Sequence, residues 1–189
     1  MRVILASSSP RRKMILTQAG VSFEVSVSEL EEKSSKTDPA KVVEELSAQK
    51  ASDVAERYPK DVLVIGADTV VACLGKILGK PKDAKEAYEM ISMLAGRTHQ
   101  VYTGVTLIAN GKKHTFHAVT DVTVSEMSES EIREYADSEE PLDKAGAYAI
   151  QGAFAKYISK IDGEYNNVVG LPVAAIYAAC KKYGIPLTE

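Results

Sequence analysis

Apolar residues fall along this chain in short blocks that switch between strand-like and helical spacing. Val3 to Ala6 is a continuous apolar run, too short for a helix and suited to a buried strand. A polar Ser7-Ser8-Ser9-Pro10 turn follows, then a helical stretch from about Arg11 to Ala19 that stops at Gly20. Phe23 to Val27 predicts a second strand, followed by acidic Glu29, Glu31 and Glu32 and a polar loop through Asp38. Asp38-Pro39 joins an N-cap to a first-turn proline and opens a long helix towards Tyr58. The β-branched run Val62 to Ile65 predicts a buried strand, which Gly66-Ala67-Asp68-Thr69 interrupts before Val70-Val71-Ala72 resumes it.

In the second half, Asp83 caps a helix whose Ala84, Ala87, Tyr88, Ile91 and Leu94 share one face up to Gly96. Two extended stretches, about Gln100 to Ala109 and Thr115 to Val124, meet at Asn110-Gly111, a strong hairpin signal. Ser128 and Glu131 have capping-box spacing for a short helix to about Asp137. Glu139 to Gly152 reads as a polar, glycine-containing loop, and Phe154 to Ile161 as a strand. Pro172 begins a last helix with Val173, Ile176, Tyr177 and Cys180 on one face. Helices and strands interleave, while the hairpin breaks the parallel pattern, so the class is α/β with a mixed sheet. With no repeats, low-complexity tracts or linkers, residues 1–189 read as one domain.

Composition narrows the function classes. A net charge of −3 gives no global positive field for DNA or RNA, so any phosphate site is local and no specific nucleic-acid partner is expected. The two cysteines, Cys73 and Cys180, are far apart and form no CxxC or Cys/His cluster, which argues against structural zinc. No run of about 18 apolar residues occurs and the first apolar run is too short for a signal peptide, so a cytoplasmic protein without a membrane partner is expected.

One segment goes against a local rule. Ser9-Pro10 is ordinary capping, yet Arg11, Arg12 and Lys13 put three cations in the first turn, where the helix dipole favours acids by roughly 0.3–1 kcal/mol per charge. An anion bound there removes the conflict, with Ser7, backbone N–H groups and forked guanidinium groups holding phosphate. A capped surface helix whose cations bend into water is the alternative. Asp68 lies between two apolar runs, and a buried carboxylate needs a cation, a metal or a catalytic task; equally, an aspartate in a tight turn can bond its own backbone. Lys50 shares a helix face with Val43, Leu46 and Val54, and either touches a cleft or snorkels to water.

Gly75 to Pro81 imitates a phosphate loop but has three residues between its glycines, no Ser or Thr after the lysine, and a proline where a donor is needed. It is not a Walker motif, although Lys80 can still bind phosphate singly. His99, His114 and His117 show no metal spacing and read as exposed strand residues, with His114 and His117 on opposite faces. Glu29, Glu31 and Glu32 can supply a metal ligand or form a solvated loop.

Six segments in order resemble the Maf family: Ser7-Ser8-Ser9-Pro10-Arg11-Arg12, Gly66 to Val71, Gly79-Lys80-Pro81, Gly96 to Val105, Asp143 to Tyr148 and Val169-Gly170-Leu171-Pro172. The resemblance implies a fold related to inosine triphosphate pyrophosphatases, with two lobes around a cleft, and hydrolysis of a nucleoside triphosphate substrate to monophosphate and pyrophosphate. It implies a divalent metal cation, Mg2+ or Mn2+, and makes a homodimer plausible. Carried over by position, Ser7, Arg11, Arg12, Lys50 and Lys80 handle phosphate, Asp68 is the catalytic base, and Glu32 assists with metal or water. The segment around Glu32 departs from the family's usual aspartate-glutamate pair. Thr69 and Gln151, with Arg12, match the subgroup acting on dTTP and UTP. The family is also associated with septum formation, so the competing expectation is a nucleotide-binding regulator of cell division with incidental hydrolysis.

Overall fold

The structure, a computed structural model, describes residues 1–187 of the chain. Its elements in order are β1 (Val3–Leu5), α1 (Pro10–Gln18), β2 (Phe23–Val25), α2 (Pro39–Ala55), β3 (Leu63–Cys73), β4 (Lys76–Leu78), α3 (Ala84–Leu94), β5 (Thr98–Ala109), β6 (Lys112–Val124), α4 (Glu129–Ala136), β7 (Ile158–Asp162), α5 (Tyr165–Val169) and α6 (Val173–Tyr183). The seven strands form one mixed sheet in the order β2-β1-β3-β5-β6-β7, with β4 paired to β3. β1 runs parallel to both β2 and β3, whereas β3/β4 and β6/β7 are antiparallel. The chain divides into two compact units. The first comprises Met1–Asp68, Thr103–Ala118 and the segment from Gly170 onward; the second comprises Thr69–Tyr102 and Val119–Val169.

Local chemistry starts and stops the elements. Ser9 and Pro10 open α1, and Gly20, at φ +72°, closes it while Val21 N–H returns to the Leu16 carbonyl. Asp38 caps α2, Asp83 caps α3, and Ser128 and Glu131 form the full capping box of α4. Asn110 and Gly111 both take positive φ, as a two-residue hairpin turn between β5 and β6 requires.

In the first unit, Ile4 and Ala6 from β1 and its end pack with Val62 and Val64 and with Ala51 and Val54 of α2. Each fully buried valine contributes roughly 1.5–3 kcal/mol through the water it sheds. The helix lies unusually close to the sheet, because Gly66 and Gly104 present no side chain where the α2 backbone crosses them. A Cβ on Gly66 would lie 2.5 Å from the Ser47 carbonyl oxygen and 2.8 Å from the Ala51 Cβ. In the second unit, Phe154 is fully buried at the centre of an aromatic group, its ring centroid 4.9 Å from Tyr135, 5.0 Å from Tyr148 and 5.5 Å from Tyr157.

Four expectations are corrected. Gly66 to Thr69 does not interrupt the strand: β3 runs unbroken from Leu63 to Cys73. Gly66 serves the close approach of α2, and the β-branched residues on both sides hold the backbone extended. Phe154 does not begin a strand, because Ala153–Tyr157 is a 3-10 turn that buries Phe154 and Tyr157, three residues apart and so on one side of it; β7 starts only at Ile158. Tyr177 leaves the buried face of α6 and is exposed, while Ile176 and Cys180 are buried. His99 is fully buried, its Nε2 2.7 Å from the Tyr148 hydroxyl and its ring edge-on to that of Tyr148. Burial pulls its pKa down to about 4, so the imidazole is neutral. The other two histidines are more accessible: His117 is exposed and pairs with Glu44, and His114 is half-buried and stacks on Tyr183.

Candidate active site

The parallel register of β1 and β3 sets the site in the first unit. Leu5 is opposite Ile65, and Ala6 N–H donates to the Ile65 carbonyl, so the chain leaves β1 towards Ser7 alongside the middle of β3, where Asp68 lies. Ser7 leads directly into the amino terminus of α1. Its hydroxyl oxygen accepts from Ser9 N–H at 3.3 Å and from the Arg12 guanidinium at 3.1 Å. Arg12 also donates through Nε to the Gly170 carbonyl at 2.8 Å. Burial lowers the Arg12 pKa from its ordinary value and neighbouring Arg11 adds to that, while the charges of Asp68 and Glu32 oppose it. A guanidinium titrates so far above neutrality that it stays charged. With no acid in the first turn of α1, Arg11 and Arg12 concentrate positive charge where the helix also offers its N–H groups.

Lys50 reaches Asp68 from α2. Its ammonium lies 2.7 Å from Asp68 Oδ1 and 3.0 Å from Glu32 Oε2. Side-chain exposure is 12% for both Lys50 and Asp68 but 47% for Glu32, so the first pair is secluded and the second borders water. Lys50 does not snorkel to water: its ammonium is buried, and its partner is the Asp68 carboxylate, which the helix spacing does not indicate. Asp68 bonds a side chain 18 residues away and is not a self-capping turn residue. The Gly66 approach explains the geometry: Lys50 precedes Ala51, which rests against Gly66, two residues before Asp68.

The loop carrying Glu32 is fastened to the same helix. Gln49 Nε2 donates to the Lys33 carbonyl at 2.8 Å, Asp53 accepts from Glu29 N–H at 3.1 Å, and Arg57 donates to the Val27 carbonyl at 3.0 Å. These residues, spaced four apart on α2 and its end, fix the chain on either side of Glu32. Sequence reasoning singles out neither Gln49 nor the Gly170 carbonyl in its own right, although Gly170 lies in the Val169 to Pro172 motif. Only the four-residue spacing of Gln49, Asp53 and Arg57 hints at a polar stripe.

The remaining candidates belong to the second unit. Thr69 follows Asp68 on β3, Lys80 is exposed in the loop after β4, and Gln151 is exposed at the corner of a turn closed by the Gly152 N–H and the Ala149 carbonyl at 3.1 Å. Gly146 N–H donates to the Gly79 carbonyl at 3.0 Å, which ties the stretch of chain before Gln151 to the residue beside Lys80. Among the described residues no group of three or more His, Cys, Asp or Glu side chains is arranged to hold a metal by itself.

Sequence comparison places these residues in a family context. A protein of Lachnoclostridium phytofermentans named dTTP/UTP pyrophosphatase is 49% identical over 193 residues, spanning 100% of this chain and 98% of that protein. One of the same name from Bacillus pumilus is 49% identical over 185 residues, 97% of each chain. The solved structure of the Staphylococcus aureus Ham1 protein covers 97% of this chain and 100% of its own at 12% identity, with a TM-score of 0.49. The family model described as Maf-like protein matches residues 2–183, taking in both the Ser7 to Arg12 segment and the strand that carries Asp68, and this chain belongs to that family.

Proposed function

We propose that this protein hydrolyses dTTP and UTP to the nucleoside monophosphate and pyrophosphate. The observation that carries the reading is the secluded Lys50–Asp68 pair beside an α1 amino terminus that bears Arg11 and Arg12 and no acid. Full-length relatives at 49% identity with the name dTTP/UTP pyrophosphatase support it.

In this reading a water molecule attacks the α-phosphorus in line. Its proton passes to Asp68, the bond from the α-phosphorus to the α,β-bridging oxygen breaks, and pyrophosphate leaves. Lys50 holds the carboxylate in place through its 2.7 Å bond, so the base does not have to be ordered when substrate arrives. Arg11 and Arg12 offset phosphate charge, Ser7 keeps the Arg12 fork oriented, and the α1 N–H groups set the register of the phosphate chain.

Glu32 and Asp68 also fit a divalent cation. Both present carboxylate oxygens, the hard donors that Mg2+ or Mn2+ takes, and both converge on Lys50 Nζ, so they lie near one another. Two carboxylates suffice for a magnesium ion that completes its shell with water and substrate phosphates. Such an ion would neutralise charge on the departing pyrophosphate. Gln49 and Asp53, by fastening the Glu32 loop, would keep one ligand in reach.

Selection of the base would fall to Thr69 and Gln151. Uracil and thymine offer N3–H beside O4, and a glutamine amide offers the complementary acceptor and donor side by side. A site that fixes the amide orientation disfavours cytosine by roughly 1–3 kcal/mol, about 5- to 150-fold.

The test is pyrophosphate release from a panel of nucleoside triphosphates with Mg2+. We expect the highest kcat/KM for dTTP and UTP, and a loss of at least about a hundredfold in turnover for Asp68→Asn with nucleotide binding kept. Release of orthophosphate in place of pyrophosphate, or wild-type turnover in Asp68→Asn, would refute the mechanism.

A further inference from the structure

The turn that carries Gln151 is bracketed by two residues that no part of the reaction uses. Tyr135, near the end of α4, is buried and donates its hydroxyl to Glu140 Oε1 at 2.8 Å. The other oxygen of the same carboxylate, Oε2, accepts from Ala153 N–H at 2.9 Å, immediately after the Ala149–Gly152 turn closes. Burial, together with the bond to Glu140, raises the pKa of the Tyr135 phenol, so its hydroxyl keeps the proton that it donates to Glu140. Gly152 passes so close to the Glu140 carboxylate that a side chain there would collide with both oxygens. Tyr148 before the turn and Phe154 after it are buried against one another, and Phe154 also packs on Tyr135. The four residues from Ala149 to Gly152 are therefore held after the turn by the Glu140 carboxylate, which Tyr135 fixes in place, and before it by Tyr148 packed on Phe154, while Gln151 is exposed to water.

A base-reading amide works only if its acceptor and donor are presented in one orientation, since a freely turning glutamine serves uracil and cytosine alike. An exposed glutamine turns freely about its own torsions, but a fixed backbone beneath it narrows the positions from which the amide can reach the base, and so the poses in which the base can accept it. We propose that Tyr135 and Glu140 are positioning residues for base selection: they clamp the Ala149–Gly152 turn so that Gln151 meets the pyrimidine edge in a single pose. The proposal rests on the reading that Gln151 contacts the base. Neither residue touches substrate, and neither enters the phosphate chemistry.

The experiment uses the full chain with Tyr135→Phe, Glu140→Gln and Glu140→Ala, and Gln151→Ala as reference. Phenylalanine keeps the ring packing and removes the hydroxyl; glutamine keeps the shape of Glu140 but leaves one oxygen where two accept. For each variant kcat/KM is measured for UTP and for CTP, and backbone amide exchange is followed over residues 148–153 in the nucleotide-free protein. We expect the UTP:CTP ratio to fall at least about fivefold in Tyr135→Phe and Glu140→Ala, less in Glu140→Gln, through loss on UTP and gain on CTP. Saturating kcat on UTP should stay within about threefold, because the clamp acts on the base and not on the reacting phosphorus. Amide exchange over 148–153 should accelerate in the same order. Equal losses on UTP and CTP with an unchanged ratio would make the pair merely structural and overturn the proposal. So would faster exchange without a change in selectivity. A ratio that falls in Gln151→Ala but not in the clamp variants removes the clamp and leaves the base-reading role standing. An unchanged ratio in Gln151→Ala removes both. Glu140→Gln, close in shape to the native residue, keeps the test decisive if Tyr135→Phe does not fold.

Discussion

Gly66 offers the sharpest test of how the fold builds the site. Replacing it with alanine puts a Cβ 2.5 Å from the Ser47 carbonyl oxygen, 2.8 Å from the Ala51 Cβ and 2.9 Å from the Ala51 nitrogen, where ordinary contact begins at 3.4 Å. The nearest obstacle is helix backbone, which cannot rotate away, so α2 has to retreat by roughly 0.9 Å along that contact. Overpacking of this kind costs about 1–3 kcal/mol, and for a chain of this size each kcal/mol lowers Tm by about 2–4 °C. The active site moves too, because Lys50 lies on α2 between Ser47 and Ala51. The same retreat lengthens the 2.7 Å bond from Lys50 to Asp68 towards the limit of hydrogen bonding, and the lysine stem recovers only part of it. Misplacement of a catalytic group by about 1 Å can cost as much as a hundredfold in rate, so we expect kcat to fall at least about tenfold. Thermal denaturation and steady-state kinetics of Gly66→Ala measure both effects. Gly79→Ala is the control for stability, since nothing lies within 4 Å of the Cβ it adds. Wild-type Tm and kcat in Gly66→Ala would refute the close-packing account of the Lys50–Asp68 pair.

Arg11→Ala should weaken dTTP binding with little change in unliganded Tm, whereas Arg12→Ala should lose stability as well, because its guanidinium also bonds Ser7 and the Gly170 carbonyl; calorimetric affinities and melting curves would separate the two, and equal Tm losses would contradict the assignment. His99, held near a pKa of 4 in the fold against 6.5 unfolded, takes up its proton in the unfolded chain first. Its contribution is therefore complete above about pH 6.5 and is lost as pH falls towards 4, amounting to about 2 kcal/mol between pH 7 and pH 5. Urea unfolding at a series of pH values should show this slope in the wild type and a shallower one in His99→Gln; identical slopes would show that His99 does not titrate as assigned.

Where an element depends on neighbours three or four positions away, the sequence alone determined it. The caps at Ser9-Pro10, Asp38-Pro39, Asp83 and Ser128/Glu131 and the Asn110-Gly111 turn are satisfied by their own backbone, so composition at those positions specifies them. The run of cations after Ser9-Pro10 was legible as an anomaly for the same reason, since the dipole that opposes it belongs to the same helix. What sequence could not decide was any feature whose partner is distant along the chain. A glycine followed by Ala-Asp-Thr has the composition of a turn, and only α2 lying against Gly66 shows that it is the middle of an eleven-residue strand. His99 looks like a polar strand residue until the Tyr148 hydroxyl, 49 positions on, bonds its ring and lets it be buried neutral. Lys50 could have turned into a cleft or snorkelled to water, and its local spacing is the same in both cases. The choice was made when the parallel register of β1 and β3 and the two glycines under α2 brought Asp68 within 2.7 Å, an arrangement held by long-range burial that no local pattern encodes.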